Sequence, residues 1–553
     1  MNLKKKQTQF YIKIVAILTV FMILSIISVY FTHIHNHSLI DGDDLQFHKN
    51  RIEGLYEALR NKEFFPKINM LFMNTMGYAS SIFYSDLFLY YPAVLRLAGF
   101  SISEAYILFV ISINFFTFLL AYFSFYNICL KHKNSFIFSL LYTLSTYRLL
   151  DITRRGALGE VLAITFLPIA FLGLYHILYK NQKKWYFLTL GMALVIYAHI
   201  LSGVMLALVI SLFLLINYKK ILFDKSRLLS FFKAVVMTIP LVAAYFLPVI
   251  EQVASQSFKV GNNPTVFLSE EAKQLGDVFI NSLTNDASPN IGITLLVFLI
   301  LYIFSMKKDK IEHNQHIFFI SIFLLLLTTD LIPWKIVENT FLNTIQFPWR
   351  FFAFATLLLC WVIAEDSLNV FKNHSVTMVI IILSVLFSVS YTINLRYQID
   401  QNKMVTYEEF NIIDSTIIGT GLEYLPENSN YDNLVNHDLE LTYNSNNVTI
   451  EDYEKNRDSI TFEFDSTNKE TITMPLIYYK GYSTEFVGNG IVSEPFSNEE
   501  EEGLTAIEVE GTGSVTVYYK KTLIQNISLL ISIVSWFSLI VYLVFKNKTK
   551  NTD

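Results

Sequence analysis

The chain has 553 residues, of which 53% are hydrophobic and 16% charged, with a mean hydropathy of +0.41, 48 Phe and 32 Tyr. That is too apolar for a soluble protein of this length and points to a polytopic α-helical membrane protein. Two cysteines, Cys129 and Cys360, both lie in or beside apolar runs, which excludes a disulfide framework or a cysteine metal site.

Apolar runs that could each cross a bilayer, at roughly 20 residues per span, occur near 10–31, 104–128, 134–150, 160–179, 186–200, 203–218, 229–250, 290–306, 316–332, 350–365, 376–395 and 523–545. The expected count is therefore about twelve spans. The stretch 186–218 is too long for one helix, and His199-Ile-Leu-Ser-Gly203 supplies a turn within it. Lysines and arginines in short loops set the orientation. Lys4 to Lys6, Lys131, Lys133, Lys180 to Lys184, Lys219, Lys220, Lys225, Arg227, Lys307, Lys308, Lys310, Lys372 and Lys546 to Lys550 fall on one side of a twelve-span count. Both termini are then cytoplasmic in a multi-pass cell-membrane protein, and the first segment is a retained span rather than a cleaved signal.

The predicted organisation is a membrane domain over 1–395 with a large first outer loop at 32–103, an acidic β-rich module over 396–521, and a final span with its tail over 522–553. Residues 396–521 hold 24 acidic and 8 basic side chains, a net of −16 against −5 for the whole chain, so the remainder is net +11. Ile460-Thr-Phe462-Glu-Phe464 and Val515-Thr-Val517 alternate at period two, with turns expected at Lys480-Gly481 and Gly511-Thr-Gly513, which reads as an extracytoplasmic β-sandwich-like module. The run Glu499 to Glu502 reads as solvated charge.

The first outer loop opens with Asp41-Gly-Asp43-Asp44-Leu-Gln-Phe-His48-Lys-Asn-Arg51. A helix starting near Asp44, capped by Asp41 or Asp43, puts Asp44, His48 and Arg51 on one stripe beside an apolar face. Such a helix suits the membrane interface, and its charges are either functional or simply solvated. A second outer stretch, Arg148-Leu-Leu-Asp151-Ile-Thr-Arg154-Arg155-Gly-Ala-Leu-Gly-Glu160, concentrates arginine against the usual inward bias. Either the guanidiniums bind an anion, or they pair with Asp151, Glu160 and the first-loop carboxylates. A third stretch is 251–289, polar around Asn262-Asn263-Pro264, and a fourth ends in Gln346-Phe-Pro348-Trp349-Arg350. Arg350 is either an interfacial anchor or a ligand for a lipid-linked phosphate. His199 is either a structural histidine or a hydrogen-bonding group and proton shuttle.

Taken together, Asp43-Asp44 with His48 and Arg51, Phe65-Pro66, Gly77-Tyr78, Tyr84, Tyr91-Pro92, Arg155-Gly-Ala-Leu-Gly-Glu160 and Gln346-Phe-Pro-Trp-Arg350 resemble the GT-C class of polytopic glycosyltransferases. Within it they are similar to the bacterial membrane family that includes YfhO-like proteins and those labelled 6-pyruvoyl-tetrahydropterin synthase-related. The resemblance covers roughly residues 10–400, and no soluble domain with zinc-binding histidines accompanies the pterin-synthase label. It implies a sugar moved from a polyprenyl-phosphate donor, a membrane lipid, to a cell-envelope acceptor on the outer face. It further implies Asp44 or Asp43 as catalytic base, and His48, Arg51, Arg154, Arg155, Glu160, His199 and Arg350 as substrate-binding groups. A divalent cation is left open, and no nucleic-acid partner is expected.

Two other readings fit the span count. One is a lipid or polysaccharide transporter or flippase, against which the span centres carry almost no ionisable groups. The other is a non-catalytic envelope assembly protein that uses the acidic module as its contact surface.

Overall fold

The computed structural model describes residues 2–261, 266–306, 312–367, 369–419 and 421–549. The predicted polar turn Asn262-Asn263-Pro264 and the basic residues Lys307, Lys308, Lys310 and Lys550 lie outside the described residues.

The chain is a polytopic helical membrane protein with a β-sheet module toward its C-terminus. Among the described residues seven helices are long and apolar enough to cross a membrane: Tyr11–His37, Ile102–Cys129, Leu158–Tyr179, Lys225–Ser255, Pro348–Glu365, His374–Gln398 and Leu523–Lys546. Ile200–Ile216, Gly292–Ser305 and His313–Leu327 are shorter apolar helices. All twelve apolar runs of the sequence are helical over most of their length, but not all are single spans. Run 134–150 divides into His132–Thr143 and Thr146–Leu150, because Ser145 is extended. Tyr186–Ala198 has 13 residues, which at about 1.5 Å per residue covers about 20 Å of a hydrocarbon layer about 30 Å thick.

The chain forms two compact units: Met1–Leu45, Ser101–Thr238 and Val266–Ile412 make the first, and Gln46–Phe100, Ile239–Thr265 and Ile413–Asp553 the second. These units cut across the linear division expected from composition. Hydrophobic runs and charge balance report local environment, whereas the units are defined by packing between segments far apart in the chain.

In the first unit, small residues let helices approach closely. A Cβ on Gly173 would stand 2.0 Å from the Leu188 nitrogen, and one on Gly191 would stand 2.3 Å from the Ala170 nitrogen. Leu158–Tyr179 and Tyr186–Ala198 therefore pack backbone to backbone, the arrangement that drives helix association where no hydrophobic gradient exists between helices.

In the second unit, the last span packs on the helix Lys225–Ser255 through a polar clasp. Ser532 Oγ accepts from the Ala244 N–H at 2.8 Å and donates to the Pro240 carbonyl at 3.0 Å, while Trp536 Nε1 donates to the Leu241 carbonyl at 3.2 Å. Backbone groups that would otherwise be costly in lipid are thereby satisfied.

The acidic module of this unit forms one continuous six-stranded antiparallel sheet rather than two separate sheets. Ser459–Ile477 and Leu504–Tyr519 are its long central strands, with register shifts at Ser466/Glu470 and Met474/Ile477 where bulges bend the pair. The period-two reading holds: Ile460, Phe462, Val515 and Val517 are fully buried, with Ile460 opposite Val517 and Phe462 opposite Val515. The turn expected at Gly511-Thr-Gly513 is instead mid-strand. A Cβ on Gly513 would stand 2.4 Å from the Phe486 ring, so glycine here admits an aromatic cover over the strand.

Phe462→Ala should open a cavity at the centre of this sheet and lower the stability of the full chain by about 3–5 kcal/mol. Limited proteolysis across 413–521 in detergent should detect it as a marked acceleration of cleavage.

A carboxylate and guanidinium cluster as candidate active site

The first unit gathers charged side chains from four segments that are distant in the sequence. The five-residue turn Asp151–Arg155 ends at Gly156, whose φ of +60° is the left-handed conformation that favours glycine. Against it lies the first-loop segment Asp41–Leu45. The Asp43 N–H donates to the Arg154 carbonyl at 3.1 Å and the Asp44 N–H to the Arg155 carbonyl at 2.7 Å. A Cβ on Gly42 would fall 2.5 Å from the Gly156 nitrogen, and one on Gly156 would fall 2.8 Å from the Leu45 Cβ, so glycine at both positions allows this contact. Asp44 is thus fixed by backbone bonds beside Arg155.

Glu160 opens the helix Leu158–Tyr179 and is the centre of the cluster. Its Oε1 accepts from the Tyr147 hydroxyl at 2.5 Å, its Oε2 accepts from Arg155 Nη1 at 2.7 Å, and Arg350 Nε stands 3.3 Å from the same oxygen. Arg155 Nη1 also donates to Asp151 Oδ1 at 2.6 Å. Glu160, Asp151, Arg155 and Arg350 are 3%, 0%, 8% and 7% exposed, so these ion pairs are buried and act at low local dielectric.

The fourth segment supplies both a cation and its aromatic setting. Gln346 has φ +62° and ψ −52°, and the Phe347 N–H donates to the Ile345 carbonyl at 2.6 Å, a γ-turn with a positive central φ. The turn aims the Ile345 carbonyl at Arg350 Nη1, 2.7 Å away, and places Gln346 Oε1 at 3.2 Å from the same nitrogen. Phe347 and Trp349 stack with centroids 4.7 Å apart; Arg350 lies 4.9 Å from the Phe347 ring and Arg155 4.5 Å from the Trp349 ring. Among the described residues Arg350 Nη2, and Nε and Nη2 of Arg155, have no hydrogen-bonding protein partner. Those N–H groups can receive an anion.

Burial raises the Asp44 carboxyl above its ordinary range, opposed by the nearby Arg155 and Arg350 charges. Burial also raises Asp151 well above the usual value, with Glu160 adding to the shift and Arg155 opposing it. Among the described residues Asp151 Oδ2 has no hydrogen-bond partner, which a protonated carboxyl tolerates better than a charged one.

The other predicted residues fall as follows. His199 interrupts the path between Tyr186–Ala198 and Ile200–Ile216 at a single extended residue, in place of a turn over 199–203. Its Nδ1 lies 2.9 Å from Ser202 Oγ, and the charges of Arg350, Glu160 and Arg155 all act on it. Asp43 is exposed and pairs with Lys403. Arg154 is exposed and donates to the Ala287 carbonyl at 2.7 Å, away from Glu160. Arg148 is buried among neutral acceptors, Asn114 Oδ1 at 2.7 Å and Thr117 Oγ1 at 2.9 Å, and serves helix packing.

His48 and Arg51 belong to the second unit, on the helix Leu45–Arg60. Arg51 Nη1 lies 3.2 Å from His48 Nδ1, as the helical stripe predicted. Arg51 Nη2 bonds Asp86 Oδ1 at 2.8 Å and the carbonyls of Tyr84 and Ser85 at 2.8 and 2.9 Å, and the guanidinium lies 4.2 Å from the Tyr84 ring. The helix is not an interfacial one with a solvated stripe: residues 47–55 are all buried. Asp151 pairs with Arg155 as the second of the two sequence readings has it; Tyr147, Gln346, Phe347 and Trp349 complete the first-unit cluster, and only their positions beside the predicted arginines signalled them. Among the described residues no three His, Cys, Asp or Glu side chains gather as a metal-ligand set.

The fold is that of a multi-span helical membrane protein with a β-sheet module. The model of the 6-pyruvoyl-tetrahydropterin synthase related domain, described as a membrane protein, matches residues 81–397. That is more than half of the chain, and the chain belongs to this family. It is 24% identical to an uncharacterized protein of Lactococcus lactis subsp. cremoris (strain MG1363), covering 99% of this chain and 97% of that one. A similar solved structure is the arabinofuranosyltransferase AftD from Mycobacteria, with a TM-score of 0.42 and 12% identity over 69% of this chain. The chain spans 27% of the length of that protein.

Two predictions follow from the buried charges. Glu160→Gln removes the counter-charge shared by Arg155 and Arg350 and should lower stability by about 3–5 kcal/mol, read as a fall in Tm of the purified full chain. Asp151→Asn should act in the opposite sense with pH. A folded-state pKa above the unfolded value of about 3.9 means that the wild type loses stability as pH rises from there through the folded pKa. The amide escapes that loss, so the Tm of Asp151→Asn relative to wild type should rise between acidic and alkaline buffer; a difference independent of pH would show that Asp151 is not held protonated.

Proposed function

We propose that the chain is a GT-C type membrane glycosyltransferase that transfers a sugar from a polyprenyl-phosphate donor to a cell-envelope acceptor at the outer face. The observation that carries this reading is the convergence of Asp44 with Arg155, Glu160 and Arg350, a carboxylate of raised pKa beside two buried guanidiniums with unused N–H groups. Family membership and the ordered motifs of the sequence support it. In this reading both termini are cytoplasmic, and the first loop and residues 396–521 are outside.

In this reading Asp44 takes the proton of the acceptor hydroxyl as its oxygen attacks the anomeric carbon. The bond from that carbon to the phosphate oxygen breaks, and its electron pair leaves with the polyprenyl phosphate. Arg350 Nη2 and the free N–H groups of Arg155 meet the charge that develops there, in a setting where fixed donors are worth more than in water. Glu160 holds both guanidiniums in place and keeps the empty site near neutrality. His199 acts from beside Arg350 and Glu160 as a positioning group. His48 and Arg51 order the first loop through Asp86 and Tyr84.

Asp44→Asn should lower turnover by about 10²–10⁴-fold without loss of folded protein, measured as release of polyprenyl phosphate from a polyprenyl-phosphate sugar by the full chain in nanodiscs. Because the base must be ionised, the acid limb of the wild-type pH profile should lie above the ordinary carboxylate value of about 3.9. Unchanged turnover, and unchanged envelope glycans, in a well-expressed Asp43→Asn/Asp44→Asn double variant would remove the enzymatic assignment.

A further inference from the structure

A second charged feature of the first unit lies apart from Glu160 in the chain, where one membrane helix ends and the next begins. The apolar helix Ile200–Ile216 is followed by the short helix Tyr218–Phe223 and then by the start of Lys225–Ser255. Around this junction is an open cavity of about 460 Å³ lined by Tyr179, Lys219, Lys220, Phe223, Arg227 and His313, with Leu178 and Asp224.

Its charge is unbalanced. Asp224, the one carboxylate in the lining, is engaged by Arg227, with Nε 3.0 Å from Oδ2. Arg227 also donates to the Ile177 carbonyl, which fixes that guanidinium at the wall. Lys219 and Lys220 have no carboxylate partner among the described residues; Lys219 lies 5.8 Å from the Tyr218 ring and Lys220 5.1 Å from the Tyr179 ring. Two ammonium groups thus border a cavity whose acid is already neutralised.

Beside the lysines the surface is apolar. Phe223, which lines the cavity, is 84% exposed and its neighbour Leu222 60%, on a six-residue helix between two apolar helices. Large exposed apolar side chains next to lysines are the pattern of an amphipathic segment that buries its apolar groups in lipid chains and keeps its ammonium groups among headgroups. A free phosphate ion would use the lysines and gain nothing from Phe223 and Leu222. A phosphodiester carried on acyl chains uses both, and basic pockets between membrane helices are the usual setting for such headgroups.

We propose that this cavity binds the headgroup of an anionic phospholipid, its phosphate held by Lys219 and Lys220 and its chains lying along Phe223 and Leu222. The site is separate from the proposed transferase centre and does not depend on that assignment.

The test uses the full chain, purified in detergent and titrated with phosphatidylglycerol or phosphatidylcholine under native mass spectrometry. Wild type should retain phosphatidylglycerol in preference to phosphatidylcholine. Lys219→Gln/Lys220→Gln should weaken phosphatidylglycerol retention about tenfold or more, while Lys180→Gln/Lys183→Gln, on another loop, should leave it unchanged. Phe223→Ser should weaken retention while leaving the lysines in place. Equal retention of the two lipids by wild type, undiminished retention in the Lys219/Lys220 variant, or displacement by millimolar inorganic phosphate would each overturn the proposal.

Discussion

The first unit depends on a buried carboxylate, Glu160, held by two guanidiniums and a phenol. Removing three or four ionised groups from water costs several kcal/mol each, and attraction offsets that cost only where geometry is good and the remaining donors and acceptors are met. Here the geometry is supplied from several directions. The Asp151–Arg155 turn aims Arg155, the γ-turn at Gln346 aims Arg350, and Tyr147 takes up the second Glu160 oxygen. A helix N-terminus favours an anion within its first turn, where Glu160 sits. Such an arrangement is a poor choice for stability alone, since well-packed apolar residues would serve that purpose as well.

The same constraint explains the shape of the first loop. Asp44 can stand beside Arg155 because Gly42 lies against the backbone of residues 153–156 and Gly156 against Leu45, each where a side chain would clash. The backbone bonds from Asp43 and Asp44 to the carbonyls of Arg154 and Arg155 then fix register, so that one acid is half-buried near the guanidiniums and its neighbour is exposed against Lys403. Two adjacent aspartates therefore have different environments, and burial raises the Asp44 carboxyl above its ordinary range. That difference is what a base needs, and it follows from backbone position rather than from side-chain chemistry.

Much of this architecture was legible in the sequence. Apolar runs identify helices wherever a span is long, and the period-two alternation around Phe462 and Val515 identifies the buried face of the sheet. The arginines at 155 and 350 stood out because cations near a membrane edge need a partner. What periodicity could not supply was the environment of the helix 45–60. A stripe of polar residues at helical spacing looks the same whether it faces a headgroup layer or packs inside protein, and here it packs inside protein. Nor could it distinguish Arg148, spent on Asn114 and Thr117, from Arg155, which faces two acids. Glycines at 511 and 513 read as a turn because glycine serves both turns and close approach, and the Phe486 ring that decides between them is distant in sequence. The tertiary partners Tyr147, Phe347 and Trp349 left no periodic signal.

In the proposed reading the Glu160 cluster holds the phosphate of a lipid-linked donor while Asp44 faces the reacting carbon. A cryo-electron microscopy map of the full chain in nanodiscs with a non-transferable polyprenyl-phosphonate sugar analogue tests it most directly. Phosphonate oxygens should lie at about 3 Å from Arg155 and Arg350, within hydrogen-bond reach, with the Asp44 carboxylate beside the anomeric carbon. Density for the phosphonate elsewhere, with Arg155 and Arg350 bound only to Glu160 and Asp151, would contradict it.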